Sequence, residues 1–117
     1  MRIQLRARDV ELTEALRAHV ERRLGFALGR FGERVGRVSV RFSDTNGARK
    51  GVDKRCQIDV SLRPSGSVLI EDTDADPSVA VDRAADRASR SVARALERER
   101  EWGEDPIALR RPGVSKP

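Results

Sequence analysis

Residues 76–101, DPSVAVDRAADRASRSVARALERERE, decide how the rest of the chain is arranged. Asp76 is a good N-cap, and Pro77 takes the first helical position, where a missing N–H costs nothing. Beyond Pro77 the stretch contains no Gly or Pro and is rich in Ala, Arg and Glu, all strong helix formers. At about 100° per residue, Val81, Ala84, Ala85, Ala88, Val92, Ala95 and Leu96 share one side. Arg83, Arg87, Arg90, Arg94 and Arg98 line up roughly opposite, with Asp82, Asp86 and Glu97 beside them. The spacing predicts a long amphipathic helix with small apolar residues towards a core and an arginine ridge towards something else. The plain alternative is a solvated face whose charges pair along the helix, as Asp86 with Arg90.

Such a helix needs a sheet to cover, and the sequence upstream supplies one. Val68 and Ile70 point inward from a short strand over 67–71, and the acidic run to Asp76 leads on to the helix. Pro64, Ser65 and Gly66 form a tight turn after a strand in which Cys56, Ile58, Val60 and Leu62 alternate with Arg55, Gln57, Asp59, Ser61 and Arg63. Val38, Val40 and Phe42 alternate with Arg37, Ser39, Arg41 and Ser43 in another. Between these two, TNGARKGVD (45–53) reads as a mobile basic hairpin loop.

At the start of the chain, MRIQLRAR alternates strictly, with Met1, Ile3, Leu5 and Ala7 on one face. Thr13 then N-caps a first helix whose stripe is Leu12, Leu16, Val20, Leu24, Ala27 and Phe31. That helix stops near Gly29, and Gly32 and Gly36 open the next connection. Ala18, Arg22 and Gly25 give it a small-residue far side. The order β-α-β-β-β-α predicts an α+β two-layer sandwich, a four-stranded sheet with both helices on one face. Residues 1–101 form this domain, and 102–117 a flexible tail in which Trp102 folds back as an anchor.

The 117 residues are 37% charged and only 3% aromatic, with a formal charge of +5. The core must therefore be aliphatic, and the arginine-rich excess favours anionic partners, nucleic acid ahead of membrane. No apolar run approaches the ~18 residues of a membrane span, and no signal-like segment opens the chain, so the cytoplasm is the expected address. The single cysteine, Cys56, reads as a buried reduced thiol. His19, the single histidine, sits at the edge of the first helix's stripe as a structural imidazole.

One Cys and one His leave no zinc site and no nucleophile with its base. Asp72, Asp74 and Asp76 resemble the start of a calcium loop, but Pro77 stands where Gly is needed and Arg83 where Glu is needed. No enzymatic activity, cofactor, metal or small-molecule substrate is expected. The outer sheet face carries Arg2, Gln4, Arg6, Arg37, Ser39, Arg41, Arg55 and Gln57 without the aromatics that stack single-stranded bases. RNA would be held through phosphates and shape, by Arg83, Arg87, Arg90, Arg94 and Arg98, together with Arg22, Arg37, Arg41, Arg49 and Lys50.

Val10-Glu11-Leu12-Thr13-Glu14-Ala15-Leu16-Arg17, followed by His19-Val20 and the run to Phe31, resembles a segment of the ribosome hibernation promoting factor and ribosome-associated inhibitor A family, the sigma-54 modulation proteins. Asp76, Ala80, Val81, Asp82, Asp86, Arg87 and Arg90 resemble the same family's long helix, and the likeness spans residues 1–98. The chain differs at Ser78, where the family has Tyr, in its mixed ERERE helix end, and in Arg22, Arg23, Gly25 and Gly29 in place of a Lys-rich first helix. The resemblance implies a fold similar to a double-stranded RNA-binding domain. It also implies binding in the mRNA and tRNA channel of the small ribosomal subunit, with 16S-type rRNA phosphates held at Arg83, Arg87, Arg90 and Arg94. The long family members' second, ribosome-pairing domain has no room in this tail, so no self-driven ribosome pairing is expected.

Two alternatives stay open from the sequence. One is a protein-interaction module in which Asp82, Asp86 and Glu97 satisfy arginines of a partner or a second copy. The other is a general RNA binder not confined to ribosomes.

Overall fold

Alternating apolar residues write the sheet, and helical spacing writes its cover. The computed structural model describes residues 1–44 and 54–103. Its elements are β1 (Arg2–Arg8), α1 (Glu14–Leu28), a 3-10 helix (Gly29–Arg34), β2 (Val35–Asp44), β3 (Lys54–Leu62), β4 (Ser67–Asp74) and α2 (Pro77–Gly103). The four strands lie in the order β1-β2-β3-β4. β1 runs parallel to β2, and the other two pairs are antiparallel. Parallel neighbours cannot be joined by a hairpin, so α1 makes the crossover between them.

Register turns the alternation into rows. Ile3, Val38, Val60 and Val68 sit side by side, as do Leu5, Val40, Ile58 and Ile70, with Ala7, Phe42 and Cys56 forming a third row. Onto this face α2 lays Ala80, Val81, Ala84, Ala85, Ala88 and Val92, all 0% exposed. α1 adds Leu16, Val20, Leu24, Ala27 and Leu28 to the same cluster. The small side chains of α2 bring its backbone close to β3 and β4. This is the two-layer α+β sandwich that the pattern predicts, with both helices on one face.

Both caps are where the sequence puts them. The Leu16 N–H donates to Thr13 Oγ1 at 3.0 Å, and the Ser78 N–H to Asp76 Oδ1 at 2.9 Å. Gly29 closes α1, its N–H donating to the Gly25 carbonyl.

Three boundaries differ from the sequence reading, each for a local reason. β4 continues to Asp74 instead of ending near Glu71, so the acidic run is strand rather than linker. The stretch after Gly29 is a 3-10 helix rather than an open connection, broken where Gly32 takes φ 57°. β2 begins at Val35, ahead of its visible alternation, because the pairing with β3 slips between Val35 and Val38. Val35 and Gly36 are both buried, and the alternation starts only after this slip. The 45–53 loop with Arg49 and Lys50, the tail beyond residue 103, and the anchoring expected of the Trp102 side chain lie outside the described residues.

Candidate nucleic-acid interface

α2 is flanked by two polar seams, and they sort its charges. On the α1 side, Asp82 Oδ1 lies 2.8 Å from His19 Nε2 and accepts from Arg23 Nε at 3.0 Å. Arg23 Nη2 also donates to the Asp82 carbonyl at 3.1 Å and to Asp86 Oδ1 at 2.9 Å. Arg30 reaches Ser89 Oγ at 3.1 Å and stacks on Phe31. The sequence pairs Asp86 with Arg90 along α2; the structure gives Asp86 to Arg23 instead. A neighbouring helix offers a guanidinium already fixed by packing, whereas an i,i+4 pair must order two free side chains.

On the β4 side, Arg83 Nη2 donates to the Thr73 carbonyl at 2.9 Å and to Asp74 Oδ1 at 2.7 Å. Arg87 Nη1 donates to the Glu71 carbonyl at 2.6 Å and lies 3.5 Å from Asp72 Oδ2. These contacts cover an open sheet edge, where unpaired backbone groups invite another strand. The acids of β4 are confined to its C-terminal half, at Glu71, Asp72 and Asp74. As α2 runs back along the strand, only its first two ridge arginines meet them. Arg90, Arg94 and Arg98 continue the ridge towards the C-terminal end of α2, away from these acids. All three are exposed, and none has an ion pair or hydrogen bond among the described residues.

The ten arginines and lysines singled out from the sequence thus divide. Arg83 and Arg87 are tied to β4, and Arg90, Arg94 and Arg98 have no partner among the described residues. Arg22 is exposed on α1 and lines a depression shared with His19, Lys54 and Pro77, at the starts of the two helices. Arg37 and Arg41 are exposed on the opposite face of the sheet. Arg49 and Lys50 lie outside the described residues.

The sequence reading passed over Phe26, which is 83% exposed on α1. Its position off the stripe of Leu16, Val20, Leu24 and Ala27 was the available signal. Near the end of α2, Arg34 pairs with Glu99 and donates from Nε to the Arg63 carbonyl at 2.8 Å, fixing the helix to the 3-10 turn.

Two titrating groups reflect this layout. The Asp76 N–H, and after it Arg83, hold the Asp74 carboxyl below its usual range. Burial pushes the Cys56 thiol up to about 12, with Asp72 adding to the effect, so this cysteine is a core residue and a poor nucleophile. Among the described residues no group of three or more His, Cys, Asp or Glu is placed to hold a metal ion. No described helix is long and apolar enough to cross a membrane.

A sheet covered on one face by two helices, with an arginine ridge along the second, frames this surface. Residues 3–100 match the family described as sigma 54 modulation protein / S30EA ribosomal protein, and the chain belongs to that family. Among solved structures it is similar to the N-terminal domain of Protein Y from Thermus thermophilus. The two are 35% identical, with 80% of this chain and 98% of that one covered and a TM-score of 0.67. A ribosomal subunit interface protein from Coxiella burnetii shares the fold at 18% identity and a TM-score of 0.72, over 83% of this chain and 99% of that one. No curated protein sequence matches it.

Proposed function

We propose that this protein is a non-enzymatic, cytoplasmic translation inhibitor of the hibernation-factor type. It binds the small ribosomal subunit in the mRNA–tRNA channel and holds 16S-type rRNA phosphates on its helical layer. Membership of a family whose description includes a ribosomal protein supports the partner. The observation that carries the interface is the free half of the α2 ridge. Arg90, Arg94 and Arg98 recur on one exposed face with no ion pair among the described residues, on a helix whose other flanks are fixed by α1 and β4. Guanidinium groups stay charged at any working pH and grip phosphate through planar, paired hydrogen bonds. A rigid helix presents them without a backbone ordering cost at the moment of binding.

In this reading the protein acts by occupancy. Phosphate contacts fix position and carry no sequence information, so the domain recognises the shape of a site and keeps messenger and tRNA out of it. Arg83 and Arg87 contribute mainly by holding α2 against β4. The protein-interaction alternative loses most of its support, because Asp82 and Asp86 are already satisfied by α1. The test is binding of the purified chain to vacant small subunits over a salt series, comparing wild type with Arg90→Gln/Arg94→Gln/Arg98→Gln. The variant should bind more weakly, with a log–log salt slope flatter by about three. Unchanged binding would remove the ridge from the interface.

A further inference from the structure

The helical reading leaves unused the cations on the opposite face of the sheet. Arg6 and Arg8 of β1, Arg41 of β2 and Arg55 of β3 surround a shallow depression of about 370 Å³ with Ser43 and Gln57. Register puts Arg6 directly beside Arg41 and Arg2 directly beside Arg37. Like charges on directly paired positions destabilise a sheet, and here two such pairs stand in one parallel strand pair. Neutralising partners are scarce. Arg2, Arg6, Arg8, Arg37 and Arg41 have no ion pair or hydrogen bond among the described residues. Arg55 reaches only Ser43 Oγ, at 3.5 Å. Of the acids facing this side, Glu71 is already held by Gln57, and Asp59 pairs across the strands with Ser39 and Leu69 rather than with an arginine.

We propose that this face is a second phosphate-binding surface, centred on Arg6, Arg8, Arg41 and Arg55, that takes a segment of RNA backbone separate from the one held by α2. The proposal rests on the reading that the partner is ribosomal RNA. The two arginine sets lie on opposite sides of a two-layer sandwich, so one backbone segment does not reach both. Strands about 4.8 Å apart, with same-face residues about 6.8 Å apart along each, spread the guanidinium groups as a grid that suits successive phosphates. The strand residues of this face include no aromatic to stack a base, so recognition is by charge and shape. The domain then works as a wedge between two RNA segments, and its affinity depends on both contacts.

The test uses the full chain and two triple variants, Arg6→Gln/Arg41→Gln/Arg55→Gln for the sheet and Arg90→Gln/Arg94→Gln/Arg98→Gln for the ridge. Thermal melts come first. Relief of the Arg6–Arg41 repulsion should leave the sheet variant at least as stable as wild type in low salt. On vacant small subunits the sheet variant should lose about tenfold or more in affinity, with a salt slope flatter by about three. A photo-cross-linker on Ser61→Cys, on the same face, should link to rRNA; the buried Cys56 is not expected to compete for the label.

Wild-type affinity and slope in the sheet variant, beside a weakened ridge variant, would overturn the sheet site and leave the helical reading standing. The reverse result would overturn the ridge and keep the sheet. Cross-links to ribosomal protein alone would overturn the RNA assignment of this face. If wild type ignores subunits, the helical reading falls, and the same comparison on a uridine oligonucleotide decides the sheet site: loss of binding in the sheet variant supports it, and no loss refutes it.

Discussion

Asp82 is a polar link between the two helices. Its carboxylate meets both His19 and Arg23, whose side chains are 26% and 24% exposed. Asp82→Ala removes the carboxylate that meets His19 and Arg23 Nε, leaves Arg23 only Asp86 and the residue-82 carbonyl, and should lower stability by about 1 kcal/mol in urea melts. Asp74 gives a pH signature. Its folded pKa lies below its unfolded value. Its contribution is therefore full above the unfolded value and is lost as pH falls through the folded one. Asp74→Asn should be less stable than wild type near neutrality, and the gap should close well below pH 3.8; a gap that persists there would contradict the assignment. Thr13 and Asp76 were legible as caps because a cap is a local signal. The partners of Asp82 and Asp86 were not, since they come from a helix far away in sequence, and charge spacing along α2 shows only its own neighbours.

Among the elements, α2 has two tasks divided along its length and around its circumference. Its buried alanines set the helix-to-sheet distance. Ala88 is 0% exposed, and Ala88→Leu should cost about 1–3 kcal/mol by pushing α2 off β3 and β4, read as a lower midpoint in urea. The first two ridge arginines and the next three should separate in experiment. Arg83→Gln/Arg87→Gln should lower stability by about 1 kcal/mol, as half-exposed ion pairs do, and change ribosome affinity less than Arg90→Gln/Arg94→Gln/Arg98→Gln. The ridge itself was readable from the arginine spacing. Its division was not, because it depends on β4 extending to Asp74 and running antiparallel to α2. Sequence alternation could not reveal that extension, since strand residues flanking a helix start look like an acidic linker.

At the scale of the whole molecule, element order and hydrophobic period foretold the sandwich, the four strands and the shared helical face. The parallel pairing of β1 with β2 was not readable, because period-2 alternation is the same in either direction. Alternation already puts these strands' arginines on the outer face; the parallel pairing adds that Arg2 stands directly beside Arg37 and Arg6 beside Arg41. Among the described residues, arginines without a partner therefore stand on both faces, and most acids lie on the helical side. The measurement that bears most directly on its function is co-sedimentation with vacant small ribosomal subunits across a salt series, with and without messenger and initiator tRNA. Saturable, stoichiometric binding that weakens steeply with salt and is displaced by the two competitors is the expected result. Absence of binding at low salt, or binding indifferent to messenger and tRNA, would contradict it.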